Sequence, residues 1–173
     1  MKRKITFLIA VAALSAAALS SLALGATNSG SSPRVSKGAL VTVGNTTLGK
    51  VLVDARGHVL YLFEKDKRGG SACYGGCAAY WPSLVSAARP RAAGGVRASL
   101  LGLSRRTDGA RQVTYAGHRL YTFIGDTRAG QTAGEGLTDF GGAWYVVAPS
   151  GRAIERTTSN SGGTAGGYGG YGG

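Results

Sequence analysis

The chain writes one segment twice. GHVLYLFEKDKRGG, residues 57–70, returns sixty residues later as GHRLYTFIGDTRAG, residues 117–130. Gly57, His58, Leu60, Tyr61, Phe63, Asp66, Arg68 and Gly70 are matched by Gly117, His118, Leu120, Tyr121, Phe123, Asp126, Arg128 and Gly130. A period of that length is too long for a solenoid and two copies are too few, so the unit duplicated is a half-domain of several strands. In an extended strand successive side chains alternate between faces. Val59, Tyr61 and Phe63 therefore share one face and Leu60 and Leu62 take the other; in the second copy Tyr121 and Phe123 oppose Leu120, Thr122 and Ile124. Both faces read as buried or half-buried, and each copy is expected to bury its Tyr/Phe face against the other around a pseudo-two-fold axis.

Asp66 and Asp126 come three residues after the last aromatic, where the strand must stop and a short carboxylate can accept backbone N–H groups in a turn. Arg68 and Arg128 are expected to hold these carboxylates by charge-assisted bonds, and Gly70 and Gly130 to supply positive φ. Trp81 and Trp144 lie at comparable distances downstream of the two copies and are expected to seal the two ends of the core.

Around the doubled segment, LVTV, KVLVD, HVLYLF, RQVTY, HRLYTF and WYVVA are short runs of β-branched and aromatic residues bounded by Gly, Asp, Asn or Pro, which predicts strands. Asp108-Gly109, Ala116-Gly117 and Pro149-Ser150-Gly151 mark tight turns between them. Helix is confined to two candidates, ACYGGCAAYW and RASLLGL. The expected fold class is mostly β: a single compact domain of two pseudo-symmetric half-repeats built of short antiparallel strands and hairpins. It occupies residues 39–157, with repeat 1 at about 40–85 and repeat 2 at about 98–152.

Outside that domain, Lys2, Arg3 and Lys4 precede an apolar run from Ile5 to Leu24, the pattern of a secretory signal over residues 1–26. Cleavage sites are offered after Gly25 and after Ala26; the rival reading is an uncleaved anchor, since the run approaches the roughly 20 residues that span a bilayer. No cysteine follows the run, so an acyl anchor at that point is not expected. Residues 27–38 read as a flexible polar linker and residues 158–173, GGY-rich and of low complexity, as a disordered tail. Without its leader cations the formal charge of +12 falls to +9, which favours anionic partners in the cell envelope. The cations are scattered singly apart from Lys67-Arg68 and Arg105-Arg106, so no specific nucleic-acid surface is expected, and a membrane only if the leader stays attached.

Cys73 and Cys77 are close in an exported chain, so a disulfide is expected; its short loop contributes only about 2 kcal/mol by chain-entropy arithmetic.

These residues resemble a family of bacterial secreted proteins and lipoproteins of unknown function with a duplicated Tyr-x-aromatic-x-x-Asp motif, here Tyr61, Phe63, Asp66 and Tyr121, Phe123, Asp126. The wider pattern is also similar: Cys73-x-x-x-Cys77 with Trp81-Pro82, then Ser99-Leu100-Leu101-Gly102, Asp108-Gly109, Gln112-Val113-Thr114-Tyr115 and Trp144-Tyr145-Val146-Val147. The resemblance covers roughly residues 40–155 and implies fold and an exported address, with no catalytic residue to carry over.

The sharpest chemical alternative combines Cys73 and Cys77 with the only histidines, His58 and His118, as a weak metal set suited to Cu(I), or uses the cysteine pair in thiol–disulfide exchange. The competing reading is a structural disulfide beside histidines that repeat because the whole segment repeats. Asp126, Glu135 and Asp139 form a Ca²⁺ candidate without regular ligand spacing, for which turn capping is the plainer use. No nucleophile elbow or carboxylate pair marks a hydrolase. The sequence thus predicts an exported, non-enzymatic binding or structural protein without cofactor, with a redox or copper-handling accessory role as the alternative.

Overall fold

The computed structural model describes residues 37–67 and 70–155. The signal segment, all but the end of the linker, Arg68 and the glycine-rich tail lie outside them. Repeat 1 opens with the hairpin β1 (Leu40–Thr46) and β2 (Gly49–Asp54), with Val43 opposite Leu52. There follow β3 (Tyr61–Phe63), the single helical turn α1 (Gly76–Tyr80) and β4 (Arg91–Ala92), which runs parallel to the start of β1. Repeat 2 contributes β5 (Leu101–Arg105), β6 (Arg111–Tyr115), β7 (His118–Arg119), β8 (Thr138–Asp139), β9 (Gly142–Val147) and β10 (Ala153–Ile154). The strands form three small sheets, β2-β1-β4, β5-β6-β7 and β10-β9-β3, with β8 beside β9. The fold is mostly β and antiparallel, as the sequence predicts.

All three predicted turns join hairpin strands. At Ala116-Gly117 both residues have positive φ, 50° and 87°, the backbone hand that a two-residue hairpin requires. Of the two helix candidates, only the first forms. RASLLGL becomes a 3₁₀ turn over Ala98–Leu100 and then strand β5, because the ladder to β6 satisfies its backbone and Gly102 lets it approach Thr114, whose Oγ1 lies 2.8 Å from where a Cβ would stand.

The two copies meet backbone to backbone at the motif tyrosines. The Tyr61 N–H donates to the Tyr121 carbonyl at 2.8 Å and the Tyr121 N–H returns the bond to Tyr61 at 3.0 Å, placing the pseudo-two-fold axis between them. Around that axis the halves exchange strands. β3 of repeat 1 pairs with β9 of repeat 2, Phe63 opposite Trp144. Conversely, residues 120–124 of repeat 2 lie against residues 80–84 of repeat 1, with Ile124 N–H bonded to Tyr80 O, Thr122 N–H to Pro82 O and Leu84 N–H to Leu120 O, each at 2.9 Å. Each tyrosine strand is thus completed by the tryptophan strand of the other copy.

The alternation of faces produces two core layers. Val59, Tyr61 and Phe63 join Val51, Val53, Trp81, Tyr121, Trp144, Val146 and the disulfide in one; Leu60 and Leu62 join Val41, Leu52, Val113, Tyr115, Leu120 and Val147 in the other. Ile124 departs from the expected pattern and is 60% exposed. The tryptophans depart further. Instead of sealing opposite ends they stack on one another at the centre, ring centroids 3.9 Å apart and planes within 3°. Phe123 extends the stack beyond Trp81 at 4.3 Å and Phe63 beyond Trp144 at 4.0 Å. The strand exchange is the reason: it carries each indole from the margin of its own copy to the shared axis. Gly134 passes so close that an added Cβ would stand 2.6 Å from the Trp81 ring.

Because the indoles share one contact surface, Trp81→Ala and Trp144→Ala should each cost about 3–5 kcal/mol, and the double variant clearly less than their sum. Denaturant unfolding of the four proteins checks this; strictly additive losses would belong to two separate end seals.

Candidate functional site

Each motif strand ends in a turn closed by the aspartate N–H on the aromatic carbonyl three residues back, Asp66 on Phe63 and Asp126 on Phe123, both at 3.1 Å. One carboxylate oxygen of each then caps the following loop: Asp66 Oδ1 accepts the Ala72 N–H at 2.7 Å and Asp126 Oδ1 the Ala133 N–H at 2.8 Å. The other oxygen crosses the axis. The Tyr61 hydroxyl donates to Asp126 Oδ2 at 2.6 Å, and the Tyr121 hydroxyl to Asp66 Oδ2 at 2.7 Å. Every tyrosine therefore binds the aspartate of the other copy. The clamp expected of Arg128 is replaced: its backbone N–H bonds Gln131 Oε1, and Tyr61 with Ala133 takes the place expected for it on Asp126. Arg68 lies outside the described residues.

Burial sets the electrostatics of these pairs. Tyr61 and Tyr121 are wholly buried, and burial, reinforced by the hydrogen-bonded carboxylate, pushes both phenols well above 10.0. Burial also raises Asp66 and Asp126, opposed by the bonds they accept from the tyrosines and the loop N–H groups. Phe63 and Phe123 belong to the stack described above.

A polar network unmarked in the sequence supports one of the two crossings. Arg106, only 5% exposed, donates to Ser71 Oγ, Ser83 Oγ and Gln112 Oε1, and to the Cys73 carbonyl, while Asp108 accepts its Nε–H at 3.0 Å. Its guanidinium also stacks over Tyr74, 4.2 Å from the ring centre. Ser71 in turn bonds the Tyr121 hydroxyl at 2.8 Å, so the chain runs from Arg106 through Ser71 and Tyr121 to Asp66. In the other half buried Glu135 accepts the Val146 N–H at 2.7 Å. Sequence pattern does not mark the network, because in RQVTY Gln112 shares the alternate positions with Thr114, as an ordinary polar strand face would.

Cys73 and Cys77 are disulfide-bonded with Cα atoms 5.2 Å apart, packed into the aromatic layer. His58 faces Asp54 at 3.6 Å, whereas exposed His118 borders an open groove of about 310 Å³ with Asp66, Lys67 and Arg119. Among the described residues no three His, Cys, Asp or Glu side chains are grouped to hold a metal ion. The three acids of the Ca²⁺ candidate are used separately: Asp126 on Tyr61, Glu135 on Val146, Asp139 on the Phe140 N–H.

A family model described as a secreted repeat of unknown function matches residues 42–84 and 102–148, more than half the chain. The two matched segments coincide with the two exchanged halves. The chain belongs to this secreted repeat family. No curated protein and no solved structure matches it. The family's description agrees with an exported protein, and the duplicated match with the pseudo-symmetric pair of repeats.

The phenol shifts fix a pH dependence. A folded-state value raised above 10.0 means that the stabilisation is complete below pH 10 and is lost as the pH rises toward the raised values. The melting temperature should therefore fall from pH 10 upward, and the fall should be shallower in Tyr61→Phe/Tyr121→Phe. The carboxyls, raised above 3.8, have the same sign, so mild acidification protonates them first in the folded state and does not weaken it through these groups. Thermal melts across the two ranges test both limbs.

Proposed function

We propose that this secreted repeat protein is a non-enzymatic module of the bacterial cell envelope, binding or structuring an anionic component there. The observation that carries the reading is the commitment of the motif itself: both phenols, wholly buried, are spent on both carboxylates, each of which also caps a loop. The phenols are held apart from solvent, and both oxygens of each carboxylate are engaged, by the same contacts that fold the chain, which favours a framework role over acid–base chemistry. The formal charge of +9 without the leader cations supports an anionic partner for the remaining surface.

Copper handling requires Cys73 and Cys77 as thiols, and thiol–disulfide exchange requires their sulfurs open to a partner thiolate. Their pairing in a buried disulfide, with the Cys73 carbonyl fixed by Arg106 at 2.9 Å, favours a structural bridge instead. Cofactor-free operation is part of the same proposal.

Tyr61→Ala and Tyr121→Ala should each destabilise the protein by about 3–5 kcal/mol, to similar extents. Secreted protein should show no free thiol by colorimetric titration, and Cys73→Ser/Cys77→Ser should leave any Cu(I) affinity unaltered. Tyrosine variants that melt like the wild type would make the motif a surface site, and copper binding that disappears with the cysteines would install the alternative.

A further inference from the structure

The duplication supplies an internal control for the surface. At the end of the exchanged strand pairs, the Ile124 N–H bonds the Tyr80 carbonyl at 2.9 Å, and its pseudo-symmetric counterpart is the bond from Glu64 N–H to the Ala143 carbonyl at 3.0 Å. The same backbone position is thus served by Glu64 and Ala143 in one half and by Ile124 and Tyr80 in the other. The fold does not require large apolar side chains there. Yet Ile124 is 60% and Tyr80 55% exposed, side by side.

A third residue joins them at an energetic cost. Phe140 sits at the tip of the β8–β9 hairpin with φ of 53°, followed by Gly141 at 81°. Asn or Gly is the ordinary occupant of that left-handed position, and a bulky aromatic is strained in it. Burial offsets the strain only in part, because the residue remains 38% exposed. Instead the tip is braced: Lys65 Nζ donates to the Phe140 carbonyl at 3.2 Å and the Trp144 indole N–H to the Asp139 carbonyl at 3.3 Å. So held, the Phe140 ring meets Tyr80 at 5.9 Å with planes tilted by 41°, an open pair of aromatic faces beside an ammonium group. Strain retained at a braced, exposed position is a mark of a functional surface.

We infer that Tyr80, Phe140 and Ile124 form a docking platform for an anionic polysaccharide. A pyranose ring presents a face of C–H groups, which packs on exposed aromatic rings, and a rim of hydroxyls for neighbouring polar groups. Lys65 and the overall charge of +9 without the leader cations select an acidic sugar chain over a neutral one. The inference rests on the non-enzymatic binding reading and gives its partner a chemical class.

The test uses the whole protein and labelled polygalacturonate, with poly-glutamate as a polyanion without sugar rings and dextran as a neutral glycan. Wild type should bind polygalacturonate more tightly than either. Tyr80→Ser and Phe140→Asn should each weaken that binding about tenfold, and Phe140→Asn should do so without lowering the melting temperature, since Asn suits the turn. Equal affinity for the two polyanions, or variants that bind like the wild type, would overturn the platform. So would a sedimenting dimer dissolved by Phe140→Asn, which would make a second copy the occupant. Any of these results, with Tyr61→Ala and Tyr121→Ala still destabilising, would remove the platform and leave the framework reading standing.

Discussion

Two hydrogen bonds exchanged between copies, Tyr61 to Asp126 and Tyr121 to Asp66, govern the rest of the structure. A bond to a charged group is worth roughly 1.5–3 kcal/mol, and stripping the partner from a buried carboxylate costs more than the bond contributes. In this arrangement each carboxylate takes a loop N–H from its own copy but its phenol from the other. The strands follow the same rule, since each tyrosine strand finds its ladder partner in the tryptophan strand of the other half. Duplication therefore produced one hydrophobic interior with a shared axis, along which Phe123, Trp81, Trp144 and Phe63 stack in turn.

Near that axis the halves resemble one another closely, and away from it they diverge. The aspartate caps on Ala72 and Ala133 differ by only 0.1 Å in length, because both serve the same crossing. One loop away, the crossing from Tyr121 to Asp66 is backed by Arg106 and Ser71, while the crossing from Tyr61 to Asp126 has buried Glu135 in its half, bonded to β9. At the outer edge the correspondence of side chains ends, with Glu64 and Ala143 standing where the other half places Ile124 and Tyr80. The interior fixes what must repeat, and the margin is left to acquire a role.

The parts of this structure that were legible in sequence are those set by local rules. Period-two alternation assigned Tyr61 and Phe63 to one face and Leu60 and Leu62 to the other, and the Gly-bearing turns located the hairpins. The disulfide followed from spacing and address. Partner choice was not legible, because a perfect echo of Tyr and Asp is consistent with bonds inside a copy as well as across copies. Placing the tryptophans at opposite ends came from the same ambiguity: without knowledge of the strand exchange, each indole appears to close its own half. Arg106 was hidden for another reason. Asp108 and Gln112 lie in its own hairpin, but Ser71, Ser83, the Cys73 carbonyl and the Tyr74 ring come from distant chain, and nothing in the local pattern around Arg105-Arg106 distinguishes a buried guanidinium from a solvated one.

The most direct measurement of the exchange is a pair of double-mutant cycles by denaturant unfolding, one on Tyr61→Phe with Asp126→Asn and one on Tyr61→Phe with Asp66→Asn. Crossed bonding predicts a coupling energy of about 1–3 kcal/mol for Tyr61 with Asp126 and a value within about 0.5 kcal/mol of zero for Tyr61 with Asp66. Coupling concentrated in the pair from the same copy would contradict it.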